Sequence, residues 1–311
     1  MTYDKAHDQA ASDRAPSARR PGASRRTVLT ALAAATVGAP VLAQLAAATP
    51  AAAADRYASN TALYQALAGQ EGTTFGRRYR WHERTDTRLD TVYPFPRTAV
   101  LALHGGGIES GTSELCLAVA GYSPRDPEGA PILSETHDYW MFEGLMSSGN
   151  KEALHVTASH CDDHVALATA AGHLNVLSLH GCTFDSLGLP VPADGDRRMA
   201  VVGGLNADFR AALVAELTAA GFPAVDAFDP AHAAGLTEFN GDHPLNPCNR
   251  TMLGRGAQLE LTTELRNSLF GDASSRSRRA ETWDAPGAAL IPFRDACRRA
   301  IATVEAAQPI L

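Results

Sequence analysis

Two apolar runs of this sequence end in the same three residues, Leu-His-Gly. The first run covers residues 99–105 and the second covers residues 175–181. Apolar runs bounded by glycine are typical of buried strands, so each run places a histidine at the end of a strand. In an open α/β sheet the carboxyl ends of the strands border the ligand crevice. The sequence therefore predicts that His104 and His180 converge on one site at the edge of a sheet.

A carboxylate follows the first of these histidines after a short loop. Glu109 is separated from His104 by Gly-Gly-Gly-Ile, which is flexible enough to bring the carboxylate back beside the imidazole. A catalytic zinc ion takes three protein ligands and keeps one coordination position open. We therefore predict that His104, Glu109 and His180 bind Zn²⁺. A lone histidine at a strand end is more often hydrogen-bonded to a backbone group, and the repeated motif is what favours the metal.

The rest of the chain alternates apolar runs bounded by turn residues with longer amphipathic stretches. This alternation is typical of an α/β protein with a mixed central sheet flanked by helices on both faces. The expected strands are residues 98–103, 154–157, 174–179, 199–202 and 258–262. The expected helices are residues 113–120, 163–171, 207–221 and 290–306. Residues 229–256, rich in Gly, Pro, Asn and His, are predicted to be a loop of the kind that carries site residues.

The amino-terminal segment has the features of an export signal. Arg25 and Arg26 lie in Ser-Arg-Arg-Thr-Val-Leu, which resembles the twin-arginine signature, and an Ala-rich apolar stretch follows. Four alanines precede Asp55, as expected of a cleavage site. We therefore predict that residues 1–54 are a cleaved signal read by the twin-arginine export machinery, and that residues 55–311 form one secreted domain free of the membrane. An uncleaved anchor helix is the alternative, which a proline and the weak hydropathy of the stretch disfavour.

Charge and cysteine spacing exclude several functional classes. Without residues 1–54 the chain has 21 basic and 31 acidic residues, a net charge of about −10. Nucleic acids and anionic lipids both require a basic protein face, so neither is expected to be the main partner. The five cysteines include no C-x-x-C pair, which excludes a zinc ribbon and a thioredoxin-like motif. Their number leaves open whether any disulfide forms.

The block around the first histidine resembles the poly-γ-glutamate hydrolases first known from phage. It reads His-Gly-Gly-Gly-Ile-Glu at residues 104–109, followed by Gly-Thr-Ser-Glu-Leu at residues 111–115. The similarity runs from about residue 98 to 266 and includes Phe-Glu-Gly at 142–144, Leu-His-Val-Thr at 154–157, His-Gly at 180–181, Val-Gly-Gly at 202–204, Cys-Asn-Arg at 248–250 and Gly-Ala-Gln-Leu-Glu-Leu at 256–261. The resemblance implies a fold similar to zinc carboxypeptidases. It also implies hydrolysis of γ-glutamyl amide bonds, in a glutamyl polymer or in a γ-glutamyl peptide.

Amide hydrolysis requires a general base that takes a proton from the attacking water and passes it to the leaving amine. Glu260 lies in the apolar run 257–261, where an unpaired carboxylate would be costly unless it faced a site. We therefore predict that Glu260 is the catalytic base, and the resemblance favours the same residue. Glu264 is the alternative base, or else a solvated carboxylate at the start of a helix.

A substrate with free α-carboxylates calls for guanidinium groups that bind them in a bidentate manner. Arg250, in the Cys-Asn-Arg landmark, is the best candidate for this role. Arg255 and Arg266 flank the base segment and are predicted to bind further substrate carboxylates, with surface ion pairing as the alternative.

The remaining histidines and arginines have simpler interpretations. His155 lies inside an apolar stretch and is predicted to be a hydrogen-bonded core residue. His160 and His164 could form a metal pair only on one helix, and the sequence around them is more typical of a helix entry. The three arginines of residues 276–279 are predicted to be a solvated charge run, with docking of a polyanion as the alternative.

Two other functions are compatible with the same predicted site residues. One is a zinc amidase that acts on N-acyl amino acids or on cell-wall peptides. Such an enzyme also needs a general base and a cationic side chain that binds the substrate carboxylate. The other is a secreted polymer-binding protein without turnover. The complete set of predicted ligands and base argues against the non-catalytic protein, because a decayed site loses a ligand or the base first.

Overall fold

The computed structural model describes residues 55–82 and 96–308, which contain a seven-stranded sheet. The strands are β1 (Phe75–Arg80), β2 (Thr98–Gly106), β3 (Asp138–Gly144), β4 (Asn175–Cys182), β5 (Ala200–Gly203), β6 (Ala224–Asp226) and β7 (Ala257–Thr262). Their order across the sheet is β1-β3-β2-β4-β7-β5-β6. The predicted export signal, residues 1–54, lies outside the described residues. Among those residues, no helix has both the length and the apolar character needed to cross a membrane.

The sheet is mixed, with a parallel centre and antiparallel steps towards its edges. β2 pairs in parallel with β3 and β4, and β4 pairs in parallel with β7. β1 is antiparallel to β3, and β5 is antiparallel to β7 and parallel to β6. The carboxyl ends of the four central strands therefore share one edge of the sheet, where loops from several strands can meet.

Helices cover both faces of the sheet. Those in the described part of the chain are α1 (Asn60–Ala66), α2 (Thr112–Ala120), α3 (Asn150–Leu154), α4 (His164–Ala171), α5 (Ala207–Ala219), α6 (Thr263–Ser268), α7 (Arg276–Thr282) and α8 (Leu290–Ala307). Side chains of α2, α5 and α8 pack in the core on one face, and those of α1 and α4 pack in the core on the other. The predicted α/β architecture is confirmed.

β2 is buried on both sides because its residues alternate between the two cores. Val100 and Ala102 belong to the core beneath α2, α5 and α8, whereas Leu101 and Leu103 belong to the core beneath α1 and α4. Burying one leucine side chain contributes about 1.5–3 kcal/mol. A strand covered on both faces is therefore apolar at every position, which explains why its sequence is a continuous run that ends at His104.

One predicted strand, residues 154–157, is wrong. Leu154 is the last residue of α3, and residues 155–157 are outside any described strand. A four-residue apolar stretch is too short for its periodicity to distinguish a helix end from a strand. β1, β3 and β6 were not predicted. The other four predicted strands and all four predicted helices are confirmed, and residues 229–256 contain only the short 3₁₀ helices Thr237–Phe239 and Pro247–Asn249.

All five cysteines lie in the described residues, and each is a buried free thiol. Burial raises the pKa of the Cys161 thiol to about 12, so that thiol is protonated at neutral pH. The cysteines are thus part of the apolar packing, and the fold does not depend on a disulfide.

Candidate metal centre

His104 lies where the pairing of β2 with β3 is irregular. Ala102 pairs with Met141 and Gly105 pairs with Glu143, so β2 advances by three residues where β3 advances by two. The extra residue is a β-bulge, a feature that bends a strand and re-aims a side chain. The bulge therefore sets the direction of the His104 imidazole at the carboxyl edge of the sheet.

The glycine loop after His104 packs tightly against the end of β3. Gly106 has a φ of +64°, and a Cβ there would collide with the carbonyl group of Gly144. The side chain of Asn150, the first residue of α3, fills the space beside Gly107. The loop closes with a hydrogen bond of 2.9 Å from the Glu109 backbone N–H to the His104 carbonyl. This turn brings Glu109 back beside His104, as the sequence predicted.

Three imidazoles surround the Glu109 carboxylate. His104 Nδ1 is 3.1 Å from Glu109 Oε1 and 3.2 Å from His180 Nδ1. His155 Nε2 lies 3.9 Å from Glu109 Oε1. His104, Glu109 and His180 are buried, and the His155 side chain is 26% exposed. The structure thus brings the three predicted residues together, and their role as zinc ligands stays a prediction.

Each imidazole of this cluster contacts a neighbour outside the cluster through one ring nitrogen. The contacts are His104 Nε2 with Val156 O at 2.9 Å, His180 Nε2 with Ser178 Oγ at 2.8 Å, and His155 Nδ1 with Asp55 Oδ1 at 2.8 Å. A neutral imidazole carries one proton, which the outer nitrogen of His104 and His155 donates to the carbonyl and carboxylate oxygens. The nitrogen that faces Glu109 then keeps its lone pair, which is the form that binds a metal.

The electrostatics of the centre favour a charged Glu109 and a neutral His180, whereas Glu109 raises the pKa of His104 against the effect of burial. Burial alone would raise the pKa of Glu109, but the imidazoles of His104, His180 and His155 outweigh burial and lower it. Burial, assisted by His104, lowers the pKa of His180 to about 3. At neutral pH the carboxyl group of Glu109 is therefore charged and the His180 imidazole is neutral.

The spacing of these groups fits zinc. Four tetrahedral ligands about 2.0–2.1 Å from a zinc ion lie about 3.3 Å from one another. The His104–Glu109 and His104–His180 separations of 3.1 Å and 3.2 Å are close to that value. Two imidazole nitrogens that face each other beside a carboxylate can share one proton at most, whereas a divalent cation satisfies all three groups.

His155 is the functional candidate that sequence reasoning missed. It was predicted to be a core residue, and that is wrong: its ring lies 4.1 Å from the ring of His104, centroid to centroid, at the rim of the centre. Ligand atoms of His104, Glu109 and His155 all lie within 4.8 Å of one another. A strand over residues 154–157 would place His155 inside the sheet and not at its carboxyl edge. Its position in the Leu-His-Val-Thr landmark was the available signal.

Glu260 lies on β7 at the position paired with His180 of β4. Its side chain is partly exposed, although protein surrounds the carboxyl group, which Gln258 Nε2 approaches to 3.4 Å. Burial raises the pKa of Glu260 well above its usual range, and the nearby charge of Glu109 raises it further. Glu264 lies in the first turn of α6 and is not a register partner of β4. The sheet therefore places Glu260, and not Glu264, beside His180.

The three predicted substrate-binding arginines have different surroundings. Arg250 and Arg255 are exposed, and their guanidinium groups make no hydrogen bond or ion pair within the described residues. Arg266 is buried, and its guanidinium donates to four neutral oxygens: Leu261 O, Ser110 O, Cys182 O and Thr263 Oγ1. Arg266 therefore keeps a positive charge near Glu109 and Glu260, whereas Arg250 and Arg255 are free to meet a ligand.

Lys151 is a cation near the site that the sequence did not point to. It follows Asn150 in α3, is exposed, and acts electrostatically on Glu260. It is the one lysine in the described part of the chain. A single lysine in a helical segment carries no motif, so only the packing of α3 against the glycine loop reveals its position.

The arginines of residues 276–279 are not a uniformly solvated run. They lie in α7, and Arg279 is buried and pairs with Glu114 at 2.9 Å. Arg276 reaches Glu143 at 3.3 Å, and Arg278 is exposed. The prediction is wrong for Arg279, because α7 turns that side chain towards α2.

The fold and the cluster together define an α/β protein with a candidate histidine–glutamate metal site at the carboxyl edge of its sheet. The chain belongs to the poly-gamma-glutamate hydrolase family, whose family model matches residues 80–286. The family named by the resemblance of the sequence is therefore confirmed.

Curated relatives come from Bacillus subtilis (strain 168). YndL is 39% identical over 180 residues, which cover 58% of this chain and 58% of that protein. The prophage-derived protein YoqZ is 32% identical over 174 residues, which cover 56% of this chain and 52% of that protein. The chain thus spans less than two thirds of the length of these relatives.

Two solved structures share the fold. One is a bacteriophage poly-gamma-glutamate hydrolase, with a TM-score of 0.62 and 24% identity over 82% of this chain and 100% of that one. The other is a zinc-free apo form of YndL, with a TM-score of 0.59 and 29% identity over 81% of this chain and 99% of that one. The phage enzyme supports the fold alone.

Proposed function

We propose that this protein is a zinc-dependent hydrolase that cleaves γ-glutamyl amide bonds, with poly-γ-glutamate as its substrate class. The observation that carries the proposal is the arrangement of the three imidazoles: inner nitrogens of His104 and His155 face the charged Glu109, and His180 Nδ1 lies 3.2 Å from His104 Nδ1. Membership of the family and the zinc-free form described for YndL support the choice of metal and substrate.

His104 and Glu109 would hold the ion together with His180, and His155 is close enough to add a further ligand nitrogen, Nε2. A bound zinc ion would supply Lewis-acid activation of the scissile amide carbonyl. The protein contributes fixed ligand directions, because the outer nitrogens of His104 and His180 are engaged by Val156 and Ser178.

Glu260 is suited to hold and transfer the proton. A carboxylate is a more effective general base when its pKa lies closer to the working pH, and burial shifts the pKa of Glu260 in that direction. The partly exposed side chain can reach an attacking water and then the leaving amine. The Glu109 carboxylate repels that of Glu260. The positive charge of Arg266 partly offsets this repulsion.

Exposed cations without protein partners support an acidic substrate. Three cationic side chains are exposed and have no ion-pair partner among the described residues: Arg250, Arg255 and Lys151. In a protein with an overall negative charge, exposed and unpaired cations are positions where substrate carboxylates can bind. We infer that Arg250 and Arg255 bind α-carboxylates along the polymer, with Lys151 beside the base.

The export signal predicted at residues 1–54 supports a secreted enzyme that meets its polymer outside the cell. Twin-arginine transport carries folded proteins, so zinc could be bound before export. The free, buried thiols are consistent with folding and zinc binding before export. A fold without disulfides can form in the reducing cytoplasm.

The proposal is tested by metal analysis of the purified protein and by incubation with three substrates: poly-γ-glutamate, poly-α-glutamate and cell-wall muropeptides. We expect about one zinc per chain and release of products from poly-γ-glutamate alone. A chelator should abolish turnover, and added zinc should restore it. Cleavage of muropeptides in preference to poly-γ-glutamate would instead identify a cell-wall amidase with the same metal chemistry.

A further inference from the structure

Asp55, the first described residue, lies against the metal centre although it is 100 positions from His155 in the sequence. Its carboxylate is only 9% exposed. Oδ1 accepts a hydrogen bond from His155 Nδ1 at 2.8 Å, and Oδ2 accepts one from the backbone N–H of Thr157 at 2.6 Å. Both oxygens are therefore held by one short segment, which fixes the carboxylate relative to the imidazole.

This contact determines which nitrogen of His155 carries the proton. A neutral imidazole has a single N–H, and a carboxylate is an acceptor only, so the proton stays on Nδ1. The lone pair then stays on Nε2, which lies 3.9 Å from Glu109 Oε1. The His104 ring packs at 4.1 Å from the His155 ring and limits its rotation. In metal sites, a carboxylate placed in this way orients a histidine and raises the basicity of its free nitrogen.

The segment that carries Asp55 is fixed by contacts of its own. Asp162 accepts a hydrogen bond of 2.8 Å from the Thr61 backbone N–H, and the Tyr64 hydroxyl donates one of 2.9 Å to Asp163. Residues 55–64 are thus attached to the start of α4 independently of the metal centre. Asp162 offers a matched control, because it holds the same segment without touching His155.

We propose that Asp55 is a positioning residue of the metal centre, which holds His155 in the form that presents Nε2 to the ion. The effect on zinc rests on the proposed function, whereas the proton position on His155 is a property of the metal-free protein. The two parts can therefore be tested separately.

The proton position is measured by nitrogen NMR of the zinc-free full chain, with the His155 signals assigned by their loss in His155→Gln. We expect protonated Nδ1 and unprotonated Nε2 in the unmodified protein. Asp55→Asn should shift His155 towards the other tautomer, and Asp162→Asn should leave it unchanged. A proton on Nε2 in the unmodified protein overturns the proposal without need of any variant.

Zinc affinity is measured by competition with a chelator of known affinity. We expect Asp55→Asn to raise the zinc dissociation constant by roughly 10- to 100-fold, and Asp55→Glu to restore part of the loss. Combined with His155→Gln, Asp55→Asn should add no further loss. Unchanged affinity in a folded Asp55→Asn protein contradicts the proposal. If the unmodified protein binds no zinc, the proposed function fails, and the NMR result still decides the role of Asp55.

Discussion

His180 and Glu260 are register partners on the adjacent parallel strands β4 and β7. Neighbouring strands lie about 4.8 Å apart, so the backbone ladder itself fixes the separation between a candidate ligand and the candidate base. A site built on strands is held more precisely than one built on loops. The two chemical functions of the proposed enzyme, metal binding and proton transfer, therefore share one rigid element.

Replacement of Glu260 by glutamine should separate catalysis from binding. Glutamine keeps the size and shape of the side chain but cannot accept the proton, so kcat should fall by roughly 10²-fold or more. Zinc content and KM should be retained. The measurement is steady-state kinetics on a γ-glutamyl oligomer, with Glu264→Gln as the control. Near-normal kcat in Glu260→Gln together with a loss in Glu264→Gln would transfer the role of base to Glu264.

Single alanine substitutions should identify the zinc ligands. His104→Ala should abolish zinc binding, because His104 is the residue that contacts both Glu109 and His180. His180→Ala should do the same if the sequence prediction is right. The measurement is metal content after dialysis, and His243→Ala, at an exposed position, serves as the control. Full zinc occupancy in His180→Ala, with loss in His155→Ala, would make His155 the third ligand.

Loss of Arg250 should weaken substrate binding more than turnover. Its guanidinium is exposed and unpaired in the described structure, so a substrate carboxylate can bind it before and during the reaction. We expect Arg250→Ala to raise KM by roughly tenfold with little change in kcat. Arg299→Ala, which removes a surface ion pair with Glu216, is the control. An unchanged KM for Arg250→Ala would assign the carboxylate contact to Arg255 or Lys151 instead.

Asp138, at the start of β3, should stabilise the fold in a pH-dependent way. Burial alone would raise its pKa, but hydrogen bonds with His173 and His82 outweigh burial and lower it. A lowered pKa in the folded state means that the stabilisation is fully present above the unfolded pKa of about 3.9 and is lost gradually as the pH falls from there to the lowered folded pKa.

Asp138→Asn should therefore lower the free energy of unfolding by about 1.5–3 kcal/mol at pH 7 and by a smaller amount at pH 3, where the carboxyl group is protonated in the unfolded chain but still charged in the folded one. Urea denaturation at the two pH values measures the difference. Asp126→Asn, at an exposed position, should have little effect at either pH. An equal effect of Asp138→Asn at pH 7 and pH 3 would contradict the electrostatic explanation.

The export prediction is tested by replacing Arg25 and Arg26 together with lysine. The twin-arginine route depends on the guanidinium pair and not on charge alone, so the double variant should stay in the cytoplasm. Cell fractionation with detection of the protein gives the answer. Secretion of the double-lysine protein at normal yield would exclude the twin-arginine route.

Local patterns in the sequence were sufficient to predict the strands that carry the site. The Leu-His-Gly repeats located the ends of β2 and β4, because a strand buried on both faces is apolar at each position and its polar end stands out. Glu260 was found by the same contrast. The ends of β2 and β4 and the polar position in β7 can be predicted from the residue type and its immediate neighbours alone.

The missed features depend on contacts between distant segments. His155 joins the centre because α3 packs against the glycine loop, and Asp55 joins it through a residue 100 positions away. β3 contains charged and aromatic residues whose burial depends on β1 and α7. No local periodicity records such contacts, so they become visible only in the folded chain.

The bulge of β2 has a consequence for the changes in length that this strand can tolerate. Side chains of a strand alternate between its faces, so deletion of Leu103 would restore a regular ladder with β3 and would move His104 to the position of the deleted residue. His104 would then point into one of the apolar cores and away from Glu109. Such a deletion would destroy the metal centre without changing any ligand, whereas insertions in the surface loop 188–199 would leave that centre intact. The length of this strand, and not only its composition, therefore decides whether His104 faces Glu109.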